Sequence, residues 1–262
     1  MEQVHPFILL LDADAQDAPL VNRLAQSLRD QGFPVQVMQQ VGNTLGSDQA
    51  VRSILEDIRN MTKTQVGSAV VLCGVGLSAS LALWADLLDG KRQFAKRTNT
   101  ERGTIFEQVE RTEGPVLAGV VAVSPFLGFD LSVSSLQVGG WDALRERLLK
   151  LARVSWLAGF FKRVSVAYAS DHGCWAPRVI SWWQLARCLP FASFAKIIPS
   201  LKRPTTLLFD QRSGSQTSAL ETLLRSLNGR LHFVAEQWTP ENLGRLVGQS
   251  AHWCVEQELA RD

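Results

Sequence analysis

The chain has 262 residues, 46% of them hydrophobic, and a formal net charge of +2 at pH 7. This is enough for one large domain with a sizeable core, and the near-neutral charge argues against a strongly basic nucleic-acid-binding protein. The first residues, MEQVHPFILLLDAD, lack a basic segment and carry a short apolar run, which favours a first strand over a signal peptide. The four cysteines show no CxxC spacing, which predicts a reduced, cytoplasmic protein with buried thiols.

Strands and helices alternate along most of the chain. Continuous or alternating apolar runs predict strands, and apolar residues at helical spacing predict helices. We expect strands at 5–12, 34–40, 68–75, 116–127, 205–211 and 230–237, and helices at 17–32, 48–60, 81–88, 218–227 and 241–259. This order predicts an α/β fold with a mostly parallel sheet covered by helices on both faces.

A long segment, residues 131–203, interrupts this alternation. It carries five of the eight tryptophans, which are Trp141, Trp156, Trp175, Trp182 and Trp183. It contains eleven lysines and arginines and three acidic residues, an excess of eight positive charges (eleven minus three). We interpret it as a cap made of several short helices, inserted into a core domain of residues 1–130 and 204–262.

Residues 70–83, VVLCGVGLSASLAL, carry the most specific local motif. A buried strand ends in small residues and a helical pattern begins, as in the strand–turn–helix that exposes a nucleophile in the pattern G-x-S-x-G. One alignment uses Gly74 as the first small residue and places Gly76 at the apex of the turn. A shift of two residues places Ser78 there instead. The sequence leaves both alignments open.

With this motif, the order of elements resembles the α/β-hydrolase superfamily. The resemblance rests also on GFPV at 32–35, VAVSPFLG at 121–128 and RPTTLLFDQRSGS at 203–215. It implies a catalytic machinery with four parts, namely an elbow nucleophile, backbone N–H groups for an oxyanion, an acid and a histidine.

Most of these implied parts are absent or displaced in the sequence. The resemblance points to Asp210 as the acid, about three residues early. It expects a histidine in the turn after the last strand, where Gln237-Trp238-Thr239-Pro240 stands. In the cap, His172 could act as a displaced base. Asp12-Ala13-Asp14-Ala15 replaces the glycines expected in the oxyanion loop, and its carboxylates are better suited to capping the next helix. The sequence therefore predicts a degenerate hydrolase.

Two other chemistries are disfavoured. GVGLSAS at 74–80 lacks the third glycine of a dinucleotide fingerprint, and no acidic residue ends a suitable second strand. Asp12 and Asp14 lack a third ligand for a metal. We expect neither a cofactor nor a metal.

The cap offers the most unusual surface of the sequence. Its basic and aromatic residues form a candidate binding surface for a hydrophobic or acyl ligand or a protein partner: Arg145, Arg147, Lys150, Arg153, Trp156, Phe160, Trp182 and Trp183. The run VSWLAGFF at 154–161 could lie in a membrane interface, which would place the protein peripherally at the inner membrane face. An ordinary amphipathic cap packed on the sheet is the alternative. We expect no nucleic acid.

Two hypotheses follow for function. In the first, the protein keeps the fold without the chemistry and binds a hydrophobic or acyl ligand or a protein partner through its cap. In the alternative, it is a serine esterase or thioesterase that acts on acyl substrates, with Ser78 as nucleophile and Asp210 and His172 as acid and base. The residue at the elbow apex discriminates between them.

Overall fold

A parallel six-stranded sheet forms the centre of the computed structural model. Six of the described strands form this sheet, and the other four form two separate hairpins. The described strands are β1 (Phe7–Asp12), β2 (Val35–Gln39), β3 (Val70–Val75), β4 (Arg97–Thr100), β5 (Gly103–Phe106), β6 (Leu117–Val123), β7 (Val164–Ala169), β8 (Trp175–Ile180), β9 (Thr205–Asp210) and β10 (His232–Glu236). The helices are α1 (Ala18–Asp30), α2 (Ser47–Thr64), α3 (Leu77–Leu88) and α4 (Pro240–Leu259). The structure describes residues 5–12, 18–39, 47–64, 69–89, 97–100, 103–106, 116–125, 164–169, 175–180, 197–210, 221–222, 224–226 and 228–260.

The strand order of the large sheet is β10-β9-β6-β3-β1-β2, and its neighbouring strands pair in parallel. The crossover falls between β3 and β1, because the chain moves outward to β2 first and then returns past β1 to build the other side. In open parallel sheets, ligands bind at the carboxyl ends of the strands near such a crossover. The predicted fold class, a parallel sheet with helices on both faces, is confirmed.

The core has two layers, one on each face of the sheet. Along β1, Leu9 and Leu11 point into the layer shared with α2 and α3, whereas Ile8 and Leu10 point into the layer shared with α1 and α4. Both faces are therefore apolar, which explains why the central strands are continuous apolar runs rather than alternating ones. The helices bury these faces from both sides.

The closing helix α4 lies unusually close to β6. A Cβ at Gly119 would lie 2.5 Å from the Cys254 Cβ, so only glycine allows this approach. Cys254 and Cys73 are free, buried thiols, as predicted. Burial raises the pKa of the Cys254 thiol to about 12, which keeps it protonated and unreactive. Cys174 and Cys188 lie outside the described residues.

The described part of the cap segment includes strands where the sequence predicts short helices. Its described part contains the antiparallel hairpin of β7 and β8, with Val164 opposite Ile180 and Ala169 opposite Trp175. The alternation of Val164, Val166 and Tyr168 is typical of a strand, and the tryptophan and arginine content of the segment concealed it. A second hairpin, β4 with β5, lies in the charged excursion that follows α3.

A buried charged cluster joins three elements at the amino-terminal edge of the sheet. Asp89, at the end of α3, accepts hydrogen bonds from the backbone N–H groups of Val116 (2.9 Å) and Leu117 (2.9 Å), where β6 begins. The guanidinium of Arg59, in α2, lies 3.6 Å from the Asp89 carboxylate. Neighbouring Asp86 accepts a hydrogen bond from the Lys202 N–H (3.1 Å), and burial raises its pKa to about 6.

No helix in the described part of the chain is long and apolar enough to span a bilayer.

Candidate functional site

The turn between β3 and α3 has the geometry of a nucleophile elbow, and Gly76 occupies its apex. β3 ends at Val75, α3 begins at Leu77, and Gly76 has φ 60° and ψ −117°. A positive φ of this kind is strained for a residue with a Cβ and is the conformation in which the elbow exposes its nucleophile. The Gly76 N–H donates to the Val123 carbonyl (2.9 Å), which ties the apex to the end of β6. In the structure, Gly76 therefore stands between the end of β3 and the start of α3.

Gly74 allows the close approach of strand and helix that this turn requires. A Cβ at residue 74 would overlap the carbonyl group of Ser78 and lie 2.5 Å from the Ala79 nitrogen. Contacts this short are not tolerated between real Cβ atoms and backbone, so β3 and α3 can meet only across a glycine. Gly74 therefore has the structural role of the first small residue in the elbow motif.

Ser78 lies in the first turn of α3, two residues beyond the apex, and its exposed fraction is 0%. Ser78 is therefore not the residue at the turn between β3 and α3. Ser78 instead occupies the second small position of the motif, against which Gly74 packs. At the apex itself the chain carries no hydroxyl or thiol.

Two acidic residues end strands at the carboxyl edge of the sheet, the edge that carries the elbow. Asp12 is the last residue of β1, beside β3, and is 7% exposed. Asp210 is the last residue of β9, beside β6, opposite Glu236 of β10. The sheet order thus places Asp210 on the same edge as the elbow, as the resemblance implied. His172 lies outside the described residues.

Ser124 is an unexpected feature of this edge. It follows β6 directly, with φ 47°, and is the one non-glycine residue in the described part of the chain with a positive φ. Its N–H donates to the Leu208 carbonyl (2.8 Å), but its Oγ, although fully buried, finds no hydrogen-bond partner there. Strain and an unsatisfied buried hydroxyl each cost about 1–3 kcal/mol. In the sequence, this serine is distinguished only as part of the Ser-Pro pair that follows the strand.

The turn after the last strand, where the resemblance expects a histidine, has a structural role. Trp238 is 1% exposed and packs in the core layer formed with α1 and α4, among Val75, Val123 and Leu243. Thr239 then caps α4, since its Oγ1 accepts from the Asn242 N–H (3.4 Å) while the Asn242 side chain accepts from the Thr239 N–H (2.7 Å). This turn anchors the closing helix and brings no imidazole to the elbow.

The histidines that the structure describes lie away from the elbow. His5 precedes β1 and His232 begins β10, so both lie at the amino-terminal edge of the sheet. The His5 Nδ1 and the His252 Nε2 are 3.1 Å apart, and both rings pack against Phe33. The His232 ring stacks on Trp253. Within the described ranges, no imidazole is therefore placed to act as a base for the elbow.

The imidazole pair predicts a loss of stability in acid. Burial and the neighbouring His5 lower the pKa of His252, against the opposing effect of Glu256. The unfolded state then binds more protons than the folded state as pH falls below about 6.5, so stability falls from there to the lowered folded pKa. Because the His252 ring is partly exposed and solvent screens its interactions, we expect a loss of less than about 1 kcal/mol between pH 7 and pH 5.

Urea unfolding at both pH values, for the parent and for His252→Phe, measures this loss. Asp86 acts in the opposite direction, because its raised pKa stabilises the folded state as pH falls through about 6. That contribution is common to both proteins and cancels in the comparison. An equal pH dependence in parent and variant would contradict the prediction.

The candidate cap surface, comprising Arg145, Arg147, Lys150, Arg153, Trp156, Phe160, Trp182 and Trp183, lies outside the described residues. Among the residues that are described, no group of three or more His, Cys, Asp or Glu side chains could hold a metal ion.

Solved structures resemble this chain along nearly its whole length. A soluble variant of monoglyceride lipase from Saccharomyces cerevisiae matches with a TM-score of 0.56 and 11% identity, over 95% of this chain and 87% of that chain. The metagenome-derived lipolytic enzymes LipS and LipT match with a TM-score of 0.54 and 10% identity, over 97% and 96%. The thioesterase domain from the curacin biosynthetic pathway matches with a TM-score of 0.53 and 11% identity, over 95% and 91%.

No protein-family model and no curated protein matches the sequence. The structural matches, together with the strand order and the elbow, show that the chain has the α/β-hydrolase fold. The fold that the resemblance implied is confirmed.

Proposed function

We propose that this chain is a non-catalytic protein with the α/β-hydrolase fold, which binds a hydrophobic or acyl ligand, or a protein partner, through its cap segment at 131–203. One observation carries the proposal: the elbow apex is Gly76, which offers no atom that could attack an acyl carbon. In serine hydrolases the covalent step begins with an oxygen at this position. Without such an oxygen, the fold retains the carboxyl edge of the sheet, where ligands bind, but lacks the nucleophile.

Two further features support the loss of chemistry. Trp238 and the cap of α4 occupy the turn in which the histidine would stand. The buried carboxylate Asp12 ends β1, after which the resemblance implies the oxyanion loop, and its negative charge would oppose a developing oxyanion there. Both features support the proposed loss of the catalytic mechanism.

A second candidate function, a serine esterase or thioesterase, is favoured by the structural neighbours. The matches include lipolytic enzymes and a thioesterase domain. In this hypothesis Ser78 attacks, with Asp210 and His172 as acid and base. It requires Ser78, which is fully buried in a helix, to reach an acyl carbon, and this weighs against it.

A fluorophosphonate probe distinguishes the two functions. We expect no labelling of the purified protein and background hydrolysis of p-nitrophenyl butyrate and of an acyl thioester, because the apex carries no nucleophile. Ser78→Ala tests the alternative directly, and Ser250→Ala, a buried serine in α4, is the matched control. Labelling that disappears in Ser78→Ala and persists in Ser250→Ala would overturn the proposal.

Binding requires its own measurement. Native mass spectrometry of the purified protein should reveal a co-purifying acyl or hydrophobic molecule if a small ligand is bound. The basic and aromatic cap residues, with the run at 154–161, are the proposed contacts for a protein partner or a membrane surface.

A further inference from the structure

Ser124 and Gly76 are neighbours at the centre of the carboxyl edge. Val75 and Val123 are partners in the β3–β6 register, and the Gly76 N–H donates to the Val123 carbonyl. Ser124 is therefore the next residue along β6 from the one that holds the elbow apex. On its other side, its N–H is bound to Leu208 of β9.

Three properties of the region around Gly76 and Ser124 favour the binding of a ligand oxygen atom. The 12-residue helix α3 begins here without a side-chain cap, so its amino end offers a positive dipole. Gly76 leaves the apex without a side chain. The Ser124 hydroxyl, at 0% exposure, has no partner in the described part of the chain and is free to donate. A buried donor of this kind is satisfied when a ligand or a water supplies an acceptor.

The charge at this edge selects the class of ligand. Asp12, which is buried, ends β1 beside β3, so a carboxylate ligand would meet its negative charge. A neutral carbonyl oxygen accepts the same hydrogen bonds without this repulsion. Neutral acyl compounds, namely esters and amides, therefore fit the site better than free acids.

We propose that Ser124 is a ligand-binding residue that donates a hydrogen bond to the carbonyl oxygen of a neutral acyl ester or amide held over Gly76. This rests on the proposed function, in which such a ligand is bound and not cleaved. The hydroxyl is shielded from solvent in the unliganded protein, so a ligand must open a path to it. We expect association well below the diffusion limit.

Calorimetric titration at pH 8 with octanamide, which is neutral, and with octanoate, which is an anion, tests the proposal. We expect octanamide to bind more tightly than octanoate. Ser124→Ala should weaken octanamide binding about tenfold, the worth of one well-made hydrogen bond. The variant should fold with a melting temperature no lower than the parent's, since it removes a hydroxyl without a partner.

Ser250→Ala is the control, because it removes a buried hydroxyl from α4 and should leave both affinities unchanged. Equal octanamide affinity in the parent and in Ser124→Ala, or no binding of octanamide, would overturn the role of Ser124. Octanamide has no ester bond, so its binding can be measured even if the protein hydrolyses esters. Failure here is thus separate from failure of the non-catalytic proposal, which fluorophosphonate labelling decides.

Discussion

Gly74→Ala should destabilise the protein by about 3 kcal/mol, although it adds a single methyl group. The new Cβ would overlap the Ser78 carbonyl and lie 2.5 Å from the Ala79 nitrogen. These are backbone atoms of α3, so no side-chain rotation relieves the overlap and the whole helix must move away from β3. Both core layers depend on the central strand, and the loss should appear in urea or thermal unfolding.

The matched control is Gly229→Ala, in the turn before β10. A Cβ there has nothing within 4 Å. This variant should unfold within about 0.5 kcal/mol of the parent, because alanine mainly restricts the unfolded chain. If Gly74→Ala were as stable as Gly229→Ala, β3 and α3 could not be in the contact that defines the elbow.

The sheet and its helices could be predicted from the sequence because their signals are local. HPFILLLD and VLAGVVAV are long apolar runs, as strands buried on both faces must be, and their order predicts the parallel sheet. The apex of the elbow could not be decided in the same way. Gly76 and Ser78 both sit among small residues, and the choice depends on where α3 meets β3 in space.

Part of the candidate site follows from the sequence. Gly74, Gly76 and Asp210 follow from the motif and the strand order. Ser124 does not, because its strained φ and the isolation of its hydroxyl arise from neighbours on β3 and β9 that are distant in sequence. The hairpin of β7 and β8 lies in a segment whose tryptophan and arginine content favours an amphipathic helical cap, and the alternation of Val164, Val166 and Tyr168 is its only local signal.

The burial of charged side chains is a further feature that the sequence does not predict. Asp86 and Asp89 look like ordinary polar residues at a helix end, and Arg59 like an exposed position of an amphipathic helix. In the structure all three are buried, and they join α2, α3 and the start of β6 at the edge opposite the elbow. Pairing of this kind depends on the tertiary fold and leaves no local pattern.

Asp89→Ala should cost about 3–5 kcal/mol of stability, the larger of the two main effects expected here. The substitution leaves the N–H groups of Val116 and Leu117 without their acceptor, and it removes a carboxylate 3.6 Å from the buried Arg59 guanidinium. Burial raises the pKa of Asp89, and the two N–H donors and Arg59 only partly offset this. The cost therefore comes mostly from groups left unsatisfied when the carboxylate is removed, rather than from a strong attraction.

Urea unfolding of Arg59→Leu, Asp89→Ala and the double variant separates these contributions. If the buried guanidinium of Arg59 destabilises the folded state once Asp89 is removed, the double variant should lose less stability than the sum of the two single losses. Asp89→Asn keeps an acceptor for the β6 amides and should be destabilised less than Asp89→Ala. If the free energy of unfolding of Asp89→Ala were within about 1 kcal/mol of the parent's, Asp89 would not hold the start of β6. The contact between α3 and β6 would then depend on the apolar core layers alone.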